Sequence, residues 1–170
     1  MPAGLPRVVV SRCLGFDACR YDGGIVESPQ VGELRGRVEF IAVCPEADIG
    51  LGVPRRPINL HSIDGLVRVI QEETGRDLTD QLQGYSEETL GNAGRVDAFI
   101  LKARSPSCGL GTASLIRAEG DVSPASGVFA AEARRRFPSG VFVDEEELGR
   151  LGVEGFLSLI GRPGPAEPRP

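Results

Sequence analysis

Only one histidine, His61, occurs in the 170 residues, and tryptophan is absent. A Ser–His–Asp or Cys–His arrangement would have to be built on that single imidazole. Its neighbours Leu60 and Ser62 place it on an alternating, half-exposed strand, where a polar surface residue is the plain reading. Positive charge is also short: 19 Lys and Arg against 24 Asp and Glu give a net charge of −5. A phosphate backbone is neutralised by a basic surface, so the balance argues against a general nucleic-acid binder, while leaving room for a local positive pocket. No apolar run approaches the ~20 residues of a membrane helix. Met1 to Arg7 lacks the apolar stretch of a secretory signal, so the expectation is a cytoplasmic protein.

What is present fits one domain over residues 1–160, followed by a Pro- and Gly-rich tail, 161–170, expected to be mobile. Val8 to Ser11 reads as a buried first strand, Val38 to Val43 as a second and Ala98 to Leu101 as a third. Ser28-Pro29 opens a short helix to about Gly36, since serine caps and proline suits the first turn. Asp64-Gly65 suits the tight turn of a hairpin between Ile58–Leu60 and Leu66–Ile70, an excursion from the main sheet. Thr79 is the expected cap of a helix to about Asn92, with Leu82, Tyr85, Thr89 and Ala93 as its stripe. A further helix runs from about Ser126 to Phe137, and Val141 to Val143 is a last strand. Asp144 and Glu147 then start a helix that ends near Leu151. Strands that alternate with helices and are apolar throughout predict an α/β fold, with a mostly parallel, Rossmann-like sheet covered on both faces.

The chemistry lies with the cysteines. There are four, Cys13, Cys19, Cys44 and Cys108, and in a reducing compartment such thiols act as ligands, nucleophiles or small buried residues. Cys13, Cys44 and Cys108 each follow a buried strand and sit in a loop rich in glycine or proline. Ligands of open α/β sheets bind beyond the carboxyl ends of the strands, so these three thiols can meet there despite their distance in sequence. The loops add Arg20, Glu46, Arg55, Arg56, Lys102, Ser105 and Ser107.

Three segments, VSRCLGFDACRYDGG, VCPEADIGLGVPRRP and FILKARSPSCG, resemble the signature segments of the thiouracil desulfidase-like family of iron–sulfur desulfidases. The likeness runs from about Val8 to Leu159. It implies a [4Fe–4S] cluster on Cys13, Cys44 and Cys108, and a catalytic pair made of Glu46 from CPE and Ser105 from SPSC. On the residues alone Ser107 is an equal candidate hydroxyl; the resemblance selects Ser105. The implied reaction removes sulfur from a thiocarbonyl compound such as 2-thiouracil, leaving a carbonyl and releasing sulfide without net electron transfer. Three ligands for four irons leave one iron open as a Lewis acid for the substrate's sulfur. Glu46 would take a proton from water and Ser105 would carry one to the departing sulfur. Arg20 and Lys102 are the basic residues expected at the substrate. Leu14-Gly15-Phe16 departs from the two leucines and glycine that many members carry after the first cysteine, which bears on substrate more than on cluster.

Two rivals remain at this point. The thiolated base can belong to a nucleotide or a tRNA rather than stand free. In a different class, a non-catalytic zinc module would use Cys13, Cys44 and Cys108 with Cys19 or His61. The role of Cys19 and the oligomeric state are not legible in the sequence.

Overall fold

A computed structural model describes residues 4–161. In chain order its strands are β1 (Arg7–Ser11), β2 (Glu39–Val43), β3 (Asn59–Ile63), β4 (Leu66–Gln71), β5 (Arg76–Asp77), β6 (Ala98–Leu101), β7 (Ala113–Ile116), β8 (Val122–Ala125) and β9 (Val141–Asp144). Its helices are α1 (Pro29–Leu34), α2 (Pro45–Asp48), α3 (Thr79–Asn92), α4 (Val128–Arg136) and α5 (Glu145–Gly161).

The apolar runs read as buried strands form one four-stranded sheet in the order β2-β1-β6-β9, parallel throughout. Their continuous hydrophobicity has a direct cause, because both faces are covered. Val8 and Val10 pack with Ala98, Ile100 and residues of α1 and α5, including Leu34 and Phe156. Val9 points the other way, into a second core with Phe99, Leu101 and the α3 and α4 residues Leu90, Phe129 and Ala133. Side chains alternate across a strand, so a run apolar at every position is stable only between two layers. The chain enters at β1, places β2 on one side and later β6 on the other. The strand order therefore reverses at β1, where a crevice opens beyond the carboxyl ends.

Local signals set several boundaries. Ser28 Oγ accepts from Val31 N at 3.4 Å and Pro29 opens α1. Asp144 Oδ1 accepts from Glu147 N at 2.8 Å and opens α5. Its first segment ends near Leu151, as expected, and a second one follows. The chain breaks at Gly152, at φ 71°, and resumes as helix to Gly161, because Val153 and Phe156 then bury against the parallel sheet. Thr79 is the first helical residue of α3 rather than its cap. The orphan N–H of Thr79 is taken by Asp77 Oδ1 at 3.0 Å, while the Thr79 hydroxyl serves Val69 N at 2.8 Å. The buried stripe of α3 is Leu82, Ser86 and Leu90, one position off the expected one after Leu82.

The larger correction concerns the hairpin. Asp64 and Gly65 take the positive φ angles, 52° and 77°, of the expected tight turn. The hairpin is not an excursion, however. β3 pairs in parallel with β7, and β5 and β8 complete a mixed five-stranded sheet in the order β5-β4-β3-β7-β8. This sheet has its own core of Ile58, Leu60, Val69, Ala113 and Leu115 against Leu78 and Leu82. Of the tail expected over 161–170, Gly161 ends α5 and residues 162–170 lie outside the described ones. Among the described residues no helix is long and apolar enough to cross a membrane.

Candidate functional site

The loops that leave β1, β2 and β6 converge on one cavity of about 350 Å³, within the size range of small-molecule sites. Cys13, Cys19, Cys44 and Cys108 all line it. All four are free and buried. Glu46, Ser105, Arg20 and Lys102 also line it, so every site residue expected from the sequence reaches the same space.

Each cysteine loop is held by ordinary backbone chemistry. After β1, Leu14 N donates to Ser11 O at 2.9 Å, and Val26 N returns to Cys13 O at 2.7 Å. After β2, Cys44 is the residue before α2, and Pro45 fixes the first turn, which carries Glu46. After β6, Ser105 Oγ accepts from Ser107 N at 3.2 Å and from Cys108 N at 3.0 Å, folding SPSC into a turn. The first turn of α4 presses on that turn. Val128 N donates to Pro106 O at 3.2 Å and Ala130 N to Ser107 O at 3.1 Å, so helix N–H groups without an intrahelical partner satisfy loop carbonyls. Gly127 makes this approach possible: a Cβ there would collide with the Ser107 and Cys108 backbone.

Glu46 is the best-connected acid in the cavity. Oε2 accepts from Ser107 Oγ at 3.1 Å, and Oε1 lies 3.5 Å from Arg55 Nε. Both side chains of that ion pair are nearly dry, 12% and 3% exposed for Glu46 and Arg55. Arg55 also donates to Cys19 O at 2.9 Å and Gly52 O at 3.1 Å, fastening the α2 loop to the β1 loop. Ser105 Oγ lies 3.1 Å from Ser107 Oγ. Lys102 lines the cavity, but its ammonium is engaged by Glu145 at 2.8 Å. Arg20 is looser, 4.0 Å from Asp22.

Cys13, Cys19 and Cys108 are not poised as free nucleophiles. Burial pushes Cys13 up to about 12, with Cys108 and Cys44 adding to the effect. Burial likewise raises Cys19 to about 12, with Cys44 beside it, and raises Cys108. Burial therefore favours the neutral thiol at Cys13, Cys19 and Cys108. A cationic metal centre reverses that preference, because ligation removes thiol protons. The donor set fits an iron–sulfur cluster in kind: three strand-end thiols around a roomy, shared cavity.

A single ion fits less well. Tetrahedral zinc draws four donors to ~2.0–2.3 Å, and among the described residues no three His, Cys, Asp or Glu side chains are gathered for one ion. His61 sits on β3 against Glu72 at 2.9 Å and does not line the cavity. It is the surface strand residue its neighbours suggested.

Two supporting residues escaped the sequence reading. Asp48, at the end of α2, accepts from Tyr85 Oη at 2.6 Å, Arg12 at 2.9 Å and Cys44 N at 3.4 Å, tying the loops after β1 and β2 to α3. Burial, and next the Asp48 contact, hold the Tyr85 phenol well above its usual range. Asn59, the first residue of β3, reaches the cavity from the mixed sheet. The acid at Asp48 recurs four residues after Cys44, a spacing that marks one helical turn, whereas nothing local marks Asn59.

Comparison with known proteins agrees with this geometry. The family model for 2-thiouracil desulfurase matches residues 8–146. The uncharacterised protein YbbK of Bacillus subtilis (strain 168) is 31% identical over 112 residues, covering 61% of this chain and 74% of its own length. A solved [4Fe–4S]-dependent thiouracil desulfidase, TudS, has a similar fold, with a TM-score of 0.69 and 31% identity over 91% of this chain and 99% of that one.

Proposed function

This chain belongs to the 2-thiouracil desulfurase family, and from that premise we propose that it is a [4Fe–4S]-dependent desulfidase. It takes a small thiolated base, 2-thiouracil or a close relative, and hydrolyses the C=S group to C=O with release of sulfide. The observation that carries this reading is the shared cavity, where Cys13, Cys44 and Cys108 meet Glu46 and Ser105.

In this proposal Cys13, Cys44 and Cys108 hold the cluster. When bound, it supplies an iron without a protein ligand, a Lewis acid with affinity for the substrate's sulfur. The chain's own groups do the proton work. Glu46 receives the proton of the attacking water, and Ser105 hands a proton to the departing sulfur. Arg55 keeps the Glu46 carboxylate in place and lowers the cost of its charge in a nearly dry site. Arg20 meets the outer end of the substrate, and Lys102 adds positive field from its pair with Glu145. The reversal of strand order at β1 supports reading the parallel sheet as Rossmann-like, with residues 1–160 working as one domain. Four free thiols fit a reducing, cytoplasmic setting. The net charge of −5 favours a small substrate over nucleic acid.

The test is anaerobic cluster reconstitution, iron and acid-labile sulfide counting, and sulfide-release assays on 2-thiouracil, thiolated nucleosides and thiolated tRNA. The expected protein is brown and releases sulfide from the free base or nucleoside. A colourless protein with one zinc, or a brown one that releases no sulfide from any of the three, overturns the proposal.

A further inference from the structure

On the reading above Glu46 and Ser105 share one proton task, yet no hydrogen bond joins them. Ser107 stands between, 1% exposed, at 3.1 Å from Glu46 Oε2 and 3.1 Å from Ser105 Oγ. A hydroxyl offers one proton and two lone pairs. Ser107 gives its proton to Glu46, so towards Ser105 it acts as acceptor. Ser105 already accepts from two backbone N–H groups, Ser107 N and Cys108 N, so the capacity left to it is to donate. Both counts yield the same polarity, Ser105 O–H to Ser107 O–H to Glu46.

We propose that Ser107 is a positioning residue that joins Ser105 and Glu46 into one directed proton wire; the inference rests on the desulfidase reading. As water's oxygen bonds to the thiocarbonyl carbon, its proton goes to the lone pair that Ser105 Oγ frees by giving up its own proton. Ser105 passes its own proton to Ser107 Oγ, and Ser107 passes its own to Glu46 Oε2. When the C–S bond breaks, the hydroxyls turn and one proton returns along the same three groups to the sulfur. The second proton of H₂S comes from the new hydroxyl on carbon as it becomes the carbonyl. No electron is exchanged and Glu46 ends as it began.

The experiment compares cluster-loaded wild type, Ser107→Ala and Ser107→Thr. Ser107→Ala keeps wild-type iron and sulfide counts and the KM for 2-thiouracil, while kcat falls by about 100-fold, the lower range for a lost acid–base path. Ser107→Thr restores most of kcat, because it restores the hydroxyl. Rates in mixtures of light and heavy water curve for wild type and Ser107→Thr, and become linear for Ser107→Ala. Independently of turnover, the infrared carboxylate band lost in Glu46→Gln shifts in Ser107→Ala and stays put in Ser107→Thr. Unchanged kcat with an unmoved band in Ser107→Ala sinks the wire alone. Iron loss in both Ser107 variants shows a structural role and overturns it too. Absence of sulfide release from the loaded wild type sinks the parent reading and the wire together, a result shared by all variants.

Discussion

Replacing Arg55 by methionine removes the cation that Glu46 touches and leaves much of the volume in place. The structure sets the size of the effect. The pair is nearly dry, and removing one member of a buried pair costs ~3–5 kcal/mol, because the remaining charge is left uncompensated. Glu46 keeps its bond from Ser107, which pulls the estimate to the lower end. The Cys19 carbonyl loses its donor as well, worth ~1 kcal/mol, whereas water replaces the donor at the exposed Gly52 carbonyl. A loss of about 4 kcal/mol follows, and at ~2–4 °C per kcal/mol for a chain of this size the melting midpoint falls by roughly 8–16 °C. Urea unfolding of the metal-free protein measures it without interference from the cluster. The double variant Arg55→Met with Glu46→Gln has no stranded charge and should regain at least ~1 kcal/mol over Arg55→Met alone. Should Arg55→Met melt within a degree or two of wild type, the ion pair is not the brace described, and Glu46 must be held by other means.

The cysteines make separable predictions. Cys13→Ala, Cys44→Ala and Cys108→Ala each lose iron and colour, whereas Glu46→Ala keeps colour and loses turnover; iron counts beside sulfide release decide between them. Cys19→Ala keeps its iron, because what Arg55 and the Cys44 thiol contact is the Cys19 main-chain carbonyl, which any residue retains. Gly127→Ala drives a methyl group into the Ser107–Cys108 backbone, so the loop must shift at ~1–3 kcal/mol and iron retention must drop; full iron content in that variant refutes the tight approach. The carboxyl of Asp77 is held below its usual range, first by the Thr79 hydroxyl. A depressed carboxyl stabilises the fold above its unfolded-state pKa, and the contribution vanishes as pH falls through the folded value. Asp77→Asn should therefore flatten part of the acid limb of stability against pH, and an unchanged acid limb contradicts the capping role.

How much of this was legible before the fold? The parallel sheet was, because Val8–Val10 and Ala98–Leu101 are apolar at every position and only burial on both faces sustains that. The cavity was legible for the same reason: once those strands are parallel, the residues after them share one edge. The mixed sheet was not. β5 has two residues, β7 and β8 have four each, and β8 contains Pro124, so no periodic run accumulates. Tertiary pairing of β3 with β7 creates that sheet, and sequence periodicity does not register pairing between distant strands. Asn59 was invisible with it. The Glu46–Ser107 contact joins loops 61 residues apart, so on the residues alone Ser107 and Ser105 were equal candidates, and the family resemblance, not spacing, selected Ser105.

The two sheets divide the labour of the site. The proposed cluster thiols and acid–base groups come from loops of the parallel sheet, braced by its two cores, while Ile58 and Asn59 form part of the cavity wall from a mixed sheet with a core of its own. The cores are not independent, because α3 places Leu82 in the mixed-sheet core and Leu90 in the second core of the parallel sheet. Sequence change at Ile58 or Asn59 alters that wall of the cavity directly. The loop bearing Cys108 is fastened to α4, and α4 to Phe99 and Leu101 of β6. A shift in that core therefore reaches Cys108, Ser105 and Ser107 at once. On the proposed function, substrate choice is then shared between Arg20 of the β1 loop and the wall at Ile58 and Asn59 that the sequence hid, while the chemistry rests on the loops that it showed.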